Sequence, residues 1–294
     1  MNCEHFFDVK QIKPQLELTA DLITRYFQNL PKYPVDPGVK PGFIKEYIPT
    51  EMPVEPEKFE NILEDFEKIS SKMLHWNHPG FFGYFTAQIH HSVIAAEAIC
   101  AAFGSPNFNW NVSQTSHDVE LLVVEWLRKM LGLAEKFKFE NGGVGGITNS
   151  VTETGFMSVN LAKFQKIKEL DLGPYDERRL KFVAYYPETN ISWAKKILLM
   201  KDITTQRCLK VHLNEDGDYR IKVEELVQQI NEDIEDGFIP FWYGSNLGST
   251  DCLVMDDYDI IGSILKDYKI YFYVDAPYYG MLLSCGEYRV KGLE

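Results

Sequence analysis

Residues Ile270-Tyr271-Phe272-Tyr273-Val274 form an apolar, β-branched and aromatic run that stops at a carboxylate, Asp275, before the turn-prone Ala276-Pro277-Tyr278-Tyr279-Gly280. A run of this kind reads as a strand buried on both faces, the condition of a parallel sheet. In open α/β sheets, ligands sit just beyond the carboxyl ends of such strands. Asp275 is therefore placed either to meet a ligand or to cap the turn that follows it, and the stretch alone leaves both open.

The chain before this run supplies the rest of an α/β pattern. Leu180 to Tyr185, Leu209 to Leu213 and Phe238 to Tyr243 read as strands. Ile191 to Met200, Val223 to Glu235 and Ile260 to Tyr268 read as the helices between them. Alternation of this kind implies parallel pairing through right-handed crossovers.

Upstream, the periodicity predicts amphipathic helices over Leu16–Leu30 and Glu57–Met73, joined by the proline-rich Pro31-Lys32-Tyr33-Pro34-Val35-Asp36-Pro37-Gly38. Two such helices cannot bury Leu18, Leu22, Tyr26, Phe27, Phe59, Ile62, Leu63 and Phe66 by themselves; they need the main body or another chain. Further helical patterns cover Ala87 to Ala102 and His117 to Leu131, the latter expected to turn Val119, Leu122, Val123, Trp126, Leu127 and Met130 inward.

Asn141-Gly142-Gly143-Val144-Gly145-Gly146-Ile147-Thr148-Asn149-Ser150-Val151-Thr152-Glu153-Thr154 is a glycine-rich loop entering a helix. Unpaired N–H groups and the positive end of the helix dipole make such a start a phosphate site. It has neither the Gly-Lys-Ser/Thr of a Walker loop nor the G-x-G-x-x-G order. Ser150 with Glu153 three residues on also reads as an ordinary capping box.

At 294 residues the chain suffices for one large domain or two modest ones. With 30 basic and 43 acidic residues the net charge is −13, which argues against nucleic acid or an anionic membrane as partner. The five scattered cysteines form no C-x-x-C pair and read as reduced thiols, so a soluble, cytoplasmic protein is expected. The most apolar stretch, Val93 to Phe103, is interrupted by Glu97 and too short to span a bilayer. His75, His78, His90 and His91 complete no ligand spacing, so no metal is expected.

Several stretches in order carry a resemblance. They are the helical arm; Trp76 through Phe85, with His78-Pro79-Gly80-Phe81-Phe82-Gly83-Tyr84-Phe85; Phe108-Asn109-Trp110; and Asn149 to Glu153. Further on come Leu247-Gly248-Ser249-Thr250 and Val274-Asp275-Ala276-Pro277-Tyr278-Tyr279-Gly280. From about Leu16 onward the chain resembles the group II pyridoxal-phosphate-dependent amino acid decarboxylases of the aromatic-L-amino-acid type.

The resemblance implies an α/β fold: the large domain of fold-type I transferases, a mainly parallel sheet flanked by helices, incomplete here and carrying an N-terminal helical arm. Residues 1–80 would form a dimerisation arm and 81–294 the cofactor-binding domain. It implies decarboxylation of an aromatic or related L-amino acid to the amine and carbon dioxide, in a homodimer. Ser150, Val151 and Thr152 would hold the cofactor phosphate, Thr250 would stand near the ring, and Asp275 would face the ring nitrogen. Trp76, Tyr84, Phe85 and Phe108 would form the aromatic substrate pocket.

Two departures are expected to matter. The family's ring-stacking imidazole aligns with Ile191. The Schiff-base lysine of the family would lie beyond Glu294, so no catalytic residue is assigned, Lys291 is read as a solvated lysine and the chain is expected to be a truncated relative. The alternative of a different class is a non-catalytic homologue that dimerises or binds ligand without turnover. A generic nucleotide-binding domain rests on the glycine loop alone.

Overall fold

The computed structural model describes residues 7–83, 89–104, 106–215, 217–250 and 252–290. Its contacts separate two compact units, Met1–Gly104 and Ser105–Glu294, and the expected arm of residues 1–80 falls within the first.

In the first unit, α1 (Ile12–Asn29) and α2 (Phe59–Ser70) form where the periodicity predicts, and α3 (His91–Phe103) follows. Leu22 and Leu30 are buried. His75 is buried as well, accepting from or donating to the Tyr26 hydroxyl at 2.9 Å and lying flat against Tyr33 with ring centroids 5.0 Å apart. Burial holds its imidazole below the usual value. Beside this cluster an apolar cavity of about 430 Å³ opens between α1 and α2, lined by Leu22, Tyr26, Phe27, Phe66 and Trp76 among others.

The second unit carries α4 (Gln114–Met130), α5 (Val151–Glu169) and then six strands and three helices: β1 (Phe182–Pro187), α6 (Ile191–Leu199), β2 (Thr205–Leu209), β3 (Val211–Leu213), β4 (Tyr219–Ile221), α7 (Val223–Glu235), β5 (Ile239–Asn246), α8 (Tyr258–Asp267) and β6 (Tyr271–Asp275). Four strands make one parallel sheet in the order β2-β1-β5-β6. Successive side chains leave a strand on opposite faces, and the two faces bury separate cores. Ala184, Tyr186 and Trp242 pack with α5 and α6, while Val183, Tyr185 and Tyr243 pack with α7 and α8.

From β1 the chain moves outward to β2, then returns past β1 to β5 and β6. The order therefore reverses between β1 and β5, the kind of crevice where open α/β sheets bind ligands. Two side-chain bonds tie the ends of these strands together. Asn190 Nδ2 donates to the Gly244 carbonyl at 3.0 Å, and Asn246 Nδ2 donates to Thr189 Oγ1 at 2.7 Å.

Three expectations are corrected. Leu209–Leu213 is not one strand: β2 ends at Leu209, and Val211–Leu213 pairs antiparallel with β4 as a separate two-stranded ribbon. Polar Thr205, Gln206 and Arg207 concealed β2 because it is an edge strand, where Arg207 is held by the buried Asp233 of α7. β6 is likewise an edge of the described sheet, so Tyr271 to Val274 are half-buried and Asp275 alone is buried. On α4 the apolar face is outward, with Leu122 50% and Trp126 58% exposed. The side turned to the protein carries Glu120, which accepts from Ile147 N of the loop before α5, with Val124 and the buried Arg128.

Candidate functional site

Asp275 ends β6 and is buried. Its backbone carbonyl accepts from Leu247 N at 2.8 Å, which fastens the loop after β5 to the end of β6. Its carboxylate accepts from the Tyr273 hydroxyl at 3.4 Å and, among the described residues, has no basic group within ion-pair range. Desolvation raises its pKa to about 6, against the lowering effect of the Tyr273 bond. A buried carboxylate lacking a cation is costly unless a ligand supplies the missing donor.

The phosphate-site candidates lie at the start of α5. Ser150 caps the helix by accepting from Glu153 N at 3.1 Å, and the Glu153 carboxylate accepts from Asn149 N at 3.0 Å. The Ser150 half of the expected capping box is present, while the Glu153 side chain reaches the residue before the N-cap instead of the N-cap amide. The Ser150 cap takes up the third helical amide and leaves those of Val151 and Thr152, the first two, without an intrahelical acceptor. Glu120 of α4 accepts from Ile147 N at 3.0 Å and fixes the glycine-rich loop that feeds the helix.

A chain of contacts brings this helix start to the Asp275 end of the sheet. The last turn of α5 sits at the opposite end, where Lys166 Nζ donates to the Lys269 carbonyl just before β6. The first turn therefore lies toward the carboxyl ends of the strands. There, a Cβ at Gly155 would stand 2.8 Å from Ile197 Cδ1 and 3.5 Å from the Trp193 ring, so the glycine lets α5 approach α6 without displacing Ile197. The Trp193 ring meets Tyr273 edge-on with centroids 5.6 Å apart, and Tyr273 reaches Asp275.

Thr250 is exposed in the loop after β5, which is closed by the Leu247–Met255 bridge and by Gly248 N and Ser249 N donating to the Val254 carbonyl. Gly248 adopts φ +73°, a conformation that favours glycine at this turn. Ile191 opens α6, but its side chain lies outside what is described, as do Tyr84, Phe85 and Lys291. Trp76 packs on Phe81 in the first unit with centroids 4.8 Å apart, and Phe108 is 73% exposed in the second.

Sequence reasoning missed Asp256, Glu120 and Tyr273. Asp256 is buried, accepts from the Tyr243 hydroxyl at 3.1 Å, leaves Oδ1 without a partner and is pushed up to about 7 by desolvation. Tyr273 was legible in principle, since residues two apart on a strand share a face. No cluster of three or more metal-ligating side chains occurs among the described residues.

Comparisons with known proteins meet this geometry. A profile of the pyridoxal-dependent decarboxylase conserved domain matches residues 41–294. The chain is 29% identical to tyrosine decarboxylase 2 of Narcissus pseudonarcissus over 98% of its own length and 57% of that protein. It is 28% identical to a phenylacetaldehyde synthase of Arabidopsis thaliana, over 98% of the chain and 58% of that enzyme. The structure of Catharanthus roseus tryptophan decarboxylase in complex with L-tryptophan superposes with a TM-score of 0.88 at 25% identity, over 97% of this chain and 61% of that one. The chain thus spans less than two thirds of the length of these relatives.

The cofactor of this domain is pyridoxal phosphate, and the residues present fit it: a buried carboxylate with no cation among the described residues, for the ring nitrogen, and two helix-start amides for the phosphate. With its parallel three-layer sheet, its helix-start loop and its strand-end aspartate, the chain belongs to the family of pyridoxal-dependent decarboxylases.

Proposed function

We propose that this chain serves the decarboxylation of an aromatic or related L-amino acid to the amine and carbon dioxide. The observation that carries the reading is Asp275, buried and with no cation among the described residues, at the end of β6 on the face shared with the start of α5. Pyridoxal phosphate, when bound, supplies a sink for the electron pair released as the bond from Cα to the carboxylate breaks.

The residues of the chain bind and orient. Ionised Asp275 would keep a proton on the ring nitrogen, which deepens that sink. The Val151 and Thr152 amides, with the Ser150 and Thr152 hydroxyls, would hold the phosphate through charge-assisted bonds at the positive end of α5. Thr250 would stand beside the ring. Trp76, Tyr84, Phe85 and Phe108 would enclose an aromatic side chain, as suits a family that includes tyrosine and tryptophan decarboxylases.

The apolar face between α1 and α2 supports a homodimer in which the first unit packs on a second copy. Among the described residues Cys100, Cys208 and Cys285 are free thiols, which suits a reducing compartment and supports a cytoplasmic protein. No described helix is long and apolar enough to cross a membrane. The non-catalytic alternative gains nothing from the comparisons.

Product analysis tests the reading. The protein, loaded with pyridoxal phosphate, is incubated with tyrosine, dopa, tryptophan or histidine, and carbon dioxide and amine are quantified. Equimolar amine and carbon dioxide from one of them is expected. An aldehyde in place of the amine would move the protein toward the synthase relatives, and no product from any of them would overturn the assignment.

A further inference from the structure

We propose that Tyr273 is a positioning residue for the cofactor, its hydroxyl fixing one oxygen of the Asp275 carboxylate so that the other is left for the ring nitrogen. The inference rests on the role of Asp275 given above and deepens it.

Tyr273 and Asp275 are two apart on β6 and so share a face of the sheet. The tyrosine hydroxyl donates to Asp275 Oδ1 at 3.4 Å, and among the described residues it is the side-chain donor the carboxylate has. The ring that carries this hydroxyl is held on two sides. Trp242 lies nearly parallel to it, centroids 5.9 Å apart at 21°, and Trp193 meets it edge-on.

The support extends one layer further. Across from Tyr273 on β5 stands Gly244. A Cβ there would fall 2.2 Å from the Trp242 ring, so the glycine makes the room that lets this indole lie against the tyrosine. Trp242 is itself fully buried and pinned, its Nε1 donating to Ser158 Oγ of α5 at 3.2 Å. The Tyr273 carbonyl accepts from Ser245 Oγ at 3.3 Å. Such a framework spends two tryptophans and a glycine on orienting one phenol.

The phenol matters because burial works against an ionised Asp275. Desolvation raises the carboxyl, and the Tyr273 bond is the influence that lowers it. The neighbours of Tyr273 on β5 and α6 are Trp242 and Trp193, which do not titrate; Tyr271 on the same strand is the further titratable group. Without the hydroxyl, Asp275 would take up a proton at higher pH and could no longer keep one on the ring nitrogen.

The test is a titration of the protein with pyridoxal phosphate from pH 5 to 8.5, comparing the parent, Tyr273→Phe, Tyr271→Phe and Asp275→Asn, each checked for folding by thermal unfolding. Binding is followed by tryptophan fluorescence. The pH midpoint for tight binding should rise by about 0.5–1 unit in Tyr273→Phe, weakening binding near that midpoint by about three- to tenfold. Tyr271→Phe should leave it in place. A midpoint unmoved in Tyr273→Phe while Asp275→Asn weakens binding would overturn the role of Tyr273 and leave that of Asp275 standing. Equal shifts in both tyrosine variants would also overturn it. Binding by Asp275→Asn equal to the parent at every pH would sink the reading of Asp275 itself.

Discussion

Replacing Asp256 by Asn should stabilise the protein above neutral pH and destabilise it at pH 4. Asp256 is 4% exposed, receives one hydrogen bond from Tyr243 and leaves Oδ1 unpartnered. Burial pushes its pKa from 3.8 to about 7. In the unfolded chain it ionises at the ordinary value, so between these limits the folded state binds more protons than the unfolded one. Stability from this group is therefore full below pH 3.8 and is lost as pH rises to about 7. Each unit of mismatch corresponds to about 1.4 kcal/mol, so the loss reaches at most about 4 kcal/mol.

An Asn at this position cannot ionise, and its carbonyl still accepts from Tyr243. Its amide takes the place of the orphan oxygen and finds no acceptor, which costs about 1–3 kcal/mol. The net gain expected at pH 8 is about 1–3 kcal/mol, and at pH 4, where the parent is still protonated, the variant should be weaker than the parent by about 1–2 kcal/mol. Urea unfolding of both proteins at pH 4, 5, 6, 7 and 8 without cofactor measures this difference, which cancels the parallel contribution of Asp275. A difference that stays constant across the range would refute the reasoning, because it would mean that Asp256 ionises alike in the two states.

Gly244→Ala places a Cβ 2.2 Å from the buried Trp242 ring and should lower stability by about 1–3 kcal/mol, read as a fall in the thermal midpoint. Ser150→Ala removes the cap of α5 and should cost about 1 kcal/mol in urea unfolding. Introducing Asp at Phe27 and Phe66, which are 36% and 51% exposed on the cavity of the first unit, should shift the mass measured by light scattering toward the monomer. An unmodified protein that is already monomeric at high concentration would contradict the dimer.

What could be read in the sequence was what short-range periodicity encodes. Ile270–Asp275 appears as β6 within one residue, and Val223–Glu235 is a helix with the stated bounds, because each has a clean period and a defined stop. Ser150 caps α5 through Glu153 N as the spacing predicts, since that motif is local, although the Glu153 carboxylate takes the Asn149 amide and not that of Ser150. The antiparallel β3–β4 ribbon was not legible, because one residue, Lys210, separates it from β2 and propensity does not register a change of partner. Periodicity identified the apolar face of α4 but not its direction, because a helical period says which residues share a face and not what that face meets. The Tyr273–Asp275 pairing follows the two-residue period of a strand, whereas Tyr243–Asp256 depends on burial and on the loop after β5, which no local pattern states.

The most direct test of the central claim is equilibrium dialysis of pyridoxal phosphate at pH 8 against the parent and Asp275→Ala. A charge-assisted hydrogen bond contributes about 1.5–3 kcal/mol, so the variant should bind roughly ten- to 150-fold more weakly while keeping its far-ultraviolet circular dichroism. Equal affinity in the two proteins would show that the cofactor is held elsewhere than at the carboxyl end of β6.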